Sequence, residues 1–350
     1  MIVSIIAALL PVILYIVVVY ALDHFSLLSI SQLVVMVVLG MLTAVACFGL
    51  FRLLDPVIST EVSDYLYPVL EESVKAIPLL ALATRKRMVF FIDSIICGAA
   101  VGGGFSILEN FFYLFLGEPM AIGTILFRSL EVALIHMGCS AMVAEARMFI
   151  VRLGSRRLLG MHVKNSDRVV VAVLFVAAPL LHVLHNNLHM VNPIIQFVLV
   201  FGNMMGLLLW TYEYDANMIH RWLDRGLDKQ VKLLQDIKDG HLGETPTGEF
   251  LMGIKESFTP EVFFDVLCFV QLNIELTVAA KARFMLKEAG LDAPIPEQQK
   301  QDILSQYQEY KTLEKRLGQS AKMAIAPVVK FYPADRMALD ELLSLCRKKS

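Results

Sequence analysis

Long apolar runs separated by short polar breaks fill the first 212 residues. They cover about 2–22, 27–51, 66–84, 89–116, 124–149, 169–190 and 192–212. Each is close to the ~20 apolar residues with which an α-helix crosses the bilayer core. The pattern predicts seven transmembrane helices. The 66–84 run is the most broken, because Glu71, Glu72 and Lys75 interrupt it. No Lys or Arg precedes the first run, and it is longer than the apolar core of a signal peptide, so it reads as a retained span. Only Met190 to Pro193 separates the last two runs, which predicts a tight helical hairpin.

From residue 213 the pattern becomes amphipathic and is punctuated by Gly240, Gly243, Pro246, Gly248, Pro294 and Pro296. Residues 261–289 read as one long helix rich in apolar positions, and 297–318 as a polar helix. The expected fold is therefore all-α: a polytopic transmembrane bundle of about seven spans over 1–212, followed by a cytoplasmic α-helical domain over 213–350. Composition agrees. The chain is 57% hydrophobic and 18% charged, against about 45–50% and about 25% in average soluble domains. Its 31 basic and 33 acidic residues nearly cancel, which gives no case for nucleic-acid binding. The five cysteines form no CxxC pair and no zinc-finger spacing.

Short-loop charge predicts orientation. Arg85, Lys86 and Arg87 follow the third span, and Arg152, Arg156, Arg157, Lys164 and Arg168 follow the fifth. Both loops are expected to be cytoplasmic. The loop after the second span has Arg52 against Asp55, Glu61 and Asp64, and the one after the fourth has only Glu118. The expectation is an integral membrane protein with its N-terminus outside and its C-terminal domain cytoplasmic. The first connection, Asp23-His24, contributes no basic residue.

Charged residues inside spans cost about 2.5–3.5 kcal/mol each at a helix centre. Some have plain explanations. Arg128 and Glu131 are three apart and can pair; Glu145 neighbours Arg147, and Asp93 lies near a basic loop. The others are harder to dismiss. Counted from the outer face at ~1.5 Å per residue, Glu71, Glu72, Glu109, His136, His182 and His185 fall within about 10 Å of depth of one another. Their spans run in alternating directions, so sequence spacing does not force this agreement. It points to one polar site shared by four helices. Glu71 and Lys75 are four apart and are expected to stack, as are His182 and Asn186. Gly98, Gly102, Gly103 and Gly104 give the fourth span a small-residue face for close packing.

Carboxylates and imidazoles without a Ser or Cys nucleophile motif suggest activated water. A glutamate in an apolar site suits a general base, and a histidine or amide donor suits an oxyanion. The same groups can hold a divalent metal such as zinc, with Glu72, Glu109, His136 and His182 as the candidate ligands. No HExxH is present. Intramembrane Glu and His also mark ion-coupled transporters, which is the alternative function; the lack of an obvious inverted repeat argues mildly against it. A non-catalytic scaffold is a third reading.

Several motifs fall on separate spans in a fixed order. Glu71-Glu72-Ser73-Val74-Lys75 matches EExxK, and Phe105 to Asn110 matches FxxxEN. Arg128 with His136 resembles a third block, and His182 to Asn186 resembles HxxxD/N. Over residues 60–190 this ordered set resembles the PrsW family of intramembrane proteases, relatives of the CAAX prenyl endopeptidases. The resemblance implies a hydrolase that cuts membrane-anchored proteins, such as anti-sigma-like regulators, on the extracytoplasmic side. It implies Glu71 as the water-activating base, with Glu72 supporting it or sharing a metal. Glu109 stands where the CAAX branch has a histidine, with Asn110 as its motif partner. His136 would activate water or bind metal, and His182 with Asn186 would stabilise the oxyanion. Lys75, Arg128 and His185 would play supporting parts. Asn186 stands where many members have Asp, and His185 where an aromatic is usual. Residues after 212 lie outside the resemblance.

Overall fold

The computed structural model describes residues 1–22, 28–81, 90–158, 165–188, 193–288, 291, 294–329 and 333–347. Among these, every element is helical. The helices are α1 (Ile2–Ala21), α2 (Ile30–Leu54), α3 (Thr60–Ala81), α4 (Phe91–Leu116), α5 (Ile122–Leu158), α6 (Asn165–Leu188), α7 (Pro193–Lys238), α8 (Pro246–Ile254), α9 (Pro260–Glu288), α10 (Glu297–Arg316), α11 (Gly318–Ile325) and α12 (Pro333–Arg347). Two compact units result, Met1–Ala216 and Asn217–Ser350. The predicted connections at Asp23-His24, Arg85 to Arg87, Lys164, and His189 to Asn192 lie outside the described residues.

In the first unit, α4 and α5 form the buried centre, and α1, α2, α3 and α6 surround them. Two-way approach of backbones sets this arrangement. A Cβ at Gly102 would collide with the His136 carbonyl on α5, and one at Gly98 would lie 2.5 Å from Ala141 Cα. On the opposite side, a Cβ at Gly104 would strike the Val37 carbonyl of α2. Small residues let helices pack this closely where lipid gives no hydrophobic drive. The outer helices leave Leu10, Val34, Val176, Leu180 and Leu209 exposed, as lipid contact requires.

Seven described helices are long and apolar enough to cross a membrane. They are α1, α2, α4, α5, α6, the first part of α7 (Ile194–Ile219), and α9. The set differs from the seven predicted runs in one member. The third run, now α3, is too polar to qualify, yet it packs against α2, α5 and α6 within the first unit. Its buried residues Pro68, Glu72, Lys75 and Leu79 fall at helical spacing and make one inward stripe. Helix α9 qualifies on apolarity and is the central helix of the second unit. It packs on α10 and α12 around Leu251, Val266, Leu276 and Leu342. It also buries Lys281, which meets Asp335 at 3.3 Å and Gln230 at 2.9 Å. Residues after 216 thus form a soluble-like helical domain.

Two predicted spans are the starts of longer helices. Helix α5 runs on to Leu158, and α7 continues without a break to Lys238, through the boundary expected at 212. Asp93 has a local task as well: its Oδ2 accepts the Phe90 N–H at 3.1 Å at the start of α4. The next two amides, of Phe91 and Ile92, donate to Asp215 of α7 at 3.1 and 2.9 Å. These carboxylates satisfy helix-start donors that would otherwise be buried unpaired.

Replacing Gly102 by Val should lower the thermal unfolding midpoint of the detergent-solubilised protein, with a cost of at least about 1–3 kcal/mol from forced overpacking. Gly123→Ala, which meets nothing within 4 Å, should leave the midpoint within error. Equal midpoints for the two variants would refute the close-approach argument.

Candidate active site

Stripes on four helices carry the polar residues inward. On α3, Glu72 and Lys75 belong to the buried stripe, and Glu71 sits one position off it, partly buried. On α6, the buried positions Leu174, Ala178, His182 and His185 make the equivalent stripe. Helix α4 brings Phe105 and Glu109, and α5 brings Arg128 and His136.

These groups form one continuous network. The Lys75 ammonium donates to Glu72 Oε1 at 2.5 Å and to His136 Nδ1 at 2.7 Å. Its remaining side faces the Phe105 ring, 4.5 Å from the centroid. His136 Nε2 lies 2.6 Å from Glu109 Oε2. Arg128 closes that end, donating to Glu109 at 3.1 Å and Asn110 at 2.8 Å while stacking on Tyr113 at 3.7 Å. Asn110 in turn donates to the Ala8 carbonyl at 3.1 Å. At the other end, His182 Nδ1 lies 2.8 Å from Glu72 Oε1. The two imidazoles meet edge to face, with centroids 4.8 Å apart.

The donor inventory fixes the tautomers. An ammonium can only donate, so His136 Nδ1 accepts and its proton is on Nε2, donated to Glu109. A carboxylate only accepts, so His182 carries a proton on Nδ1, and in a neutral ring this puts the lone pair on Nε2. That nitrogen faces Glu71 Oε2 at 3.7 Å, too far for a direct hydrogen bond. Glu71 and Glu109 line a cavity of about 260 Å³ walled by Cys47, Phe48, Phe51, Phe105 and Phe112. One ligand atom each from Glu71, His136 and His182 lies within 4.8 Å of the other two. Glu72 Oε2 is buried with no hydrogen-bond partner among the described residues.

A family model described as PrsW family intramembrane metalloprotease matches residues 29–212, more than half of the chain. The chain belongs to the PrsW family. It is a polytopic membrane protein with a protease-like buried Glu/His/His cluster. No curated protein and no solved structure matches it significantly.

The sequence-selected residues of this PrsW-family chain divide into two groups. Glu71, Glu72, Lys75, Glu109, Asn110, Arg128, His136 and His182 share the network or its edge. His185 and Asn186 lie beside it: Asn186 is exposed with its Oδ1 3.1 Å from His185 Nδ1, and His185 Nε2 lies 2.8 Å from Gln196 of α7. Two pairings differ from the sequence expectation. Lys75 joins Glu72 rather than Glu71, because Glu72 shares its stripe. Arg128 joins Glu109 and Asn110 rather than Glu131, because interhelical acceptors lie within its reach. Glu145 is met by Thr211 Oγ1.

Sequence reasoning passed over Gln196, Ser129 and Phe105 as partners. Gln196 was visible as a polar residue three positions into an apolar span. Ser129 donates to the Ala8 carbonyl at 2.6 Å; a serine in a span gives no such warning, since it can also bond its own helix.

Asn110→Leu should destabilise the folded protein by about 1–3 kcal/mol, because it leaves Arg128, Ser129 and the Ala8 carbonyl short of a partner. Thermal melts in detergent check this, and an unchanged melting point would show that the Asn110 bridge contributes nothing.

Proposed function

We propose that this protein is an intramembrane endopeptidase that uses Glu71 as the base for water attack on a peptide bond held in the cavity. The observation that carries the reading is the position of Glu71. It borders the cavity while every other carboxylate of the network accepts a bond from a buried cation or imidazole. Family membership supports a membrane-embedded protein as the substrate.

In this scheme Glu71 takes a proton from the attacking water. His182 Nε2, carrying a lone pair, is a second proton acceptor, which moves His182 from the donor role implied by resemblance. Glu72 orients it from Nδ1. The resemblance gives Asn186 an oxyanion-stabilising part; it is exposed beside the network, with its Oδ1 3.1 Å from His185 Nδ1. Glu109, held by His136 and Arg128, supports the opposite wall. The aromatic walls of the cavity suit a large apolar side chain beside the scissile bond. Glu71, His136 and His182 fit a divalent ion in donor type and spacing, and the orphaned Glu72 Oε2 lies next to them. Such an ion, when bound, would supply Lewis-acid polarisation and a more acidic water. Loop charge supports an outside N-terminus and a cytoplasmic C-terminal domain, with the site reached from the outer half of the membrane.

Glu71→Gln keeps size and removes the base, so it should lower cleavage of a single-span substrate in proteoliposomes by about 10²–10⁴-fold. His182→Ala should lower it similarly, and both variants should remain folded in detergent. Normal cleavage by purified Glu71→Gln protein rules out the assigned base. Flux of an ion through the same liposomes, dependent on Glu109 and without proteolysis, would favour a carrier instead.

Substrate preference offers a separate check on the cavity. Phe112→Ala enlarges the wall and should shift the preferred residue beside the cut toward bulkier side chains, scored with a panel of single-residue substrate variants. An unchanged preference would place substrate elsewhere.

A further inference from the structure

The network contains an internal cation at the place where a metal would need a ligand. Lys75 is 0% exposed. Its ammonium is held by a carboxylate oxygen at 2.5 Å, an imidazole nitrogen at 2.7 Å and an aromatic face at 4.5 Å. Oxygen, nitrogen and π-face together are a complete cation cradle.

The imidazole contact has a strict consequence. A neutral imidazole has a single ring lone pair. In His136 that lone pair is on Nδ1 and is taken by Lys75, while Nε2 carries the proton donated to Glu109. His136 therefore has nothing to offer a metal on either nitrogen while Lys75 is in place. His182 is different: with its proton on Nδ1 toward Glu72, a neutral ring keeps its lone pair on Nε2, the nitrogen 3.7 Å from Glu71 Oε2. With Lys75 seated, the cluster of Glu71, His136 and His182 is reduced to one carboxylate and one imidazole.

We infer that Lys75 is a built-in competitor for divalent metal: the ammonium and a metal ion exclude each other at His136, and loading the cluster requires Lys75 to leave its cradle. The inference rests on the cluster assigned above, but it concerns equilibrium binding and not hydrolysis.

The test is zinc titration of chelator-stripped, full-length protein in detergent, read by calorimetry and by metal content after desalting. Lys75→Met removes the competing cation and leaves Glu72 with His182 as its hydrogen-bond partner. It should raise zinc affinity by roughly tenfold or more. Lys75→Arg keeps a cation and should stay near the wild type. Because a buried Glu72 without its fixed cation destabilises the single variant, the Glu72→Gln/Lys75→Met pair removes both charges together, a change that buried ion pairs often tolerate. It too should bind zinc more tightly than the wild type. Adding His136→Ala to either background should abolish the gain. Equal affinity across wild type, Lys75→Arg and the double variant overturns the inference, as does a gain that survives loss of His136. Loss of the protease assignment would leave these binding results unaffected.

Discussion

A lysine with no access to water, Lys75, constrains the rest of the bundle. Burying one ion costs several kcal/mol unless a partner and further hydrogen bonds meet it. Glu72, three residues earlier on the same stripe, supplies the carboxylate. That pair alone leaves two ammonium protons unplaced. His136 and Phe105 take up the remaining directions, so α4 and α5 must both come close to α3. The demand then passes outward. His136 needs an acceptor for Nε2 and finds Glu109, Glu109 needs a second donor and finds Arg128, and Arg128 shares Asn110. Close packing of α4 on α5 at Gly102 puts the His136 backbone where this chain of partners can close. The glycines and the ion pair are thus parts of one constraint.

Much of this site is legible in the sequence, because polar residues inside apolar runs are too costly to be accidental. Membership of the cluster follows from residue type and helix direction. Pairing does not. Glu71 and Glu72 are adjacent, and which of them faces Lys75 depends on the rotation of α3, fixed by Pro68 and Leu79 lying on the buried stripe. Similarly, i,i+4 spacing brings His182 and Asn186 to the same side of α6, but the buried stripe turns toward His185, and Asn186 stays exposed. Contacts between helices, such as Ser129 to Ala8 or Gln196 to His185, connect residues far apart in the chain and leave no local pattern.

The span count shows what hydropathy measures. A window of apolar residues records burial in any low-dielectric surrounding, lipid or protein. Helix α9 has the composition of a membrane span and is at the same time the core of a helical domain, with Val266 and Leu276 almost fully buried. Helix α3 fails the same measure because its charges are turned inward to the site. The helix that brings Glu71, Glu72 and Lys75 to the cluster is thus one that the measure passes over. Domain boundaries are equally hard to read where a helix such as α7 continues through them, since only the character of its exposed side chains changes.

Charge balance in the network bears on how it could move a proton. Three carboxylates, Glu71, Glu72 and Glu109, face two fixed cations, Lys75 and Arg128. Each cation is matched by a direct bond, Lys75 to Glu72 and Arg128 to Glu109. The imidazole protons go to those same two carboxylates, His182 to Glu72 and His136 to Glu109. Glu71 is left as the odd charge. Its 3.7 Å contact with His182 Nε2 is too long for a direct hydrogen bond. Gaining or losing a proton at Glu71 changes the net charge of the site without breaking any short hydrogen bond. At any of the other members the same event would force Lys75 or Arg128 to give up its matched partner. In the proposed scheme the rigid pairs hold position and one loosely held carboxylate at the cavity edge exchanges the proton. That division of labour is what preorganised catalysis in a low-dielectric site requires.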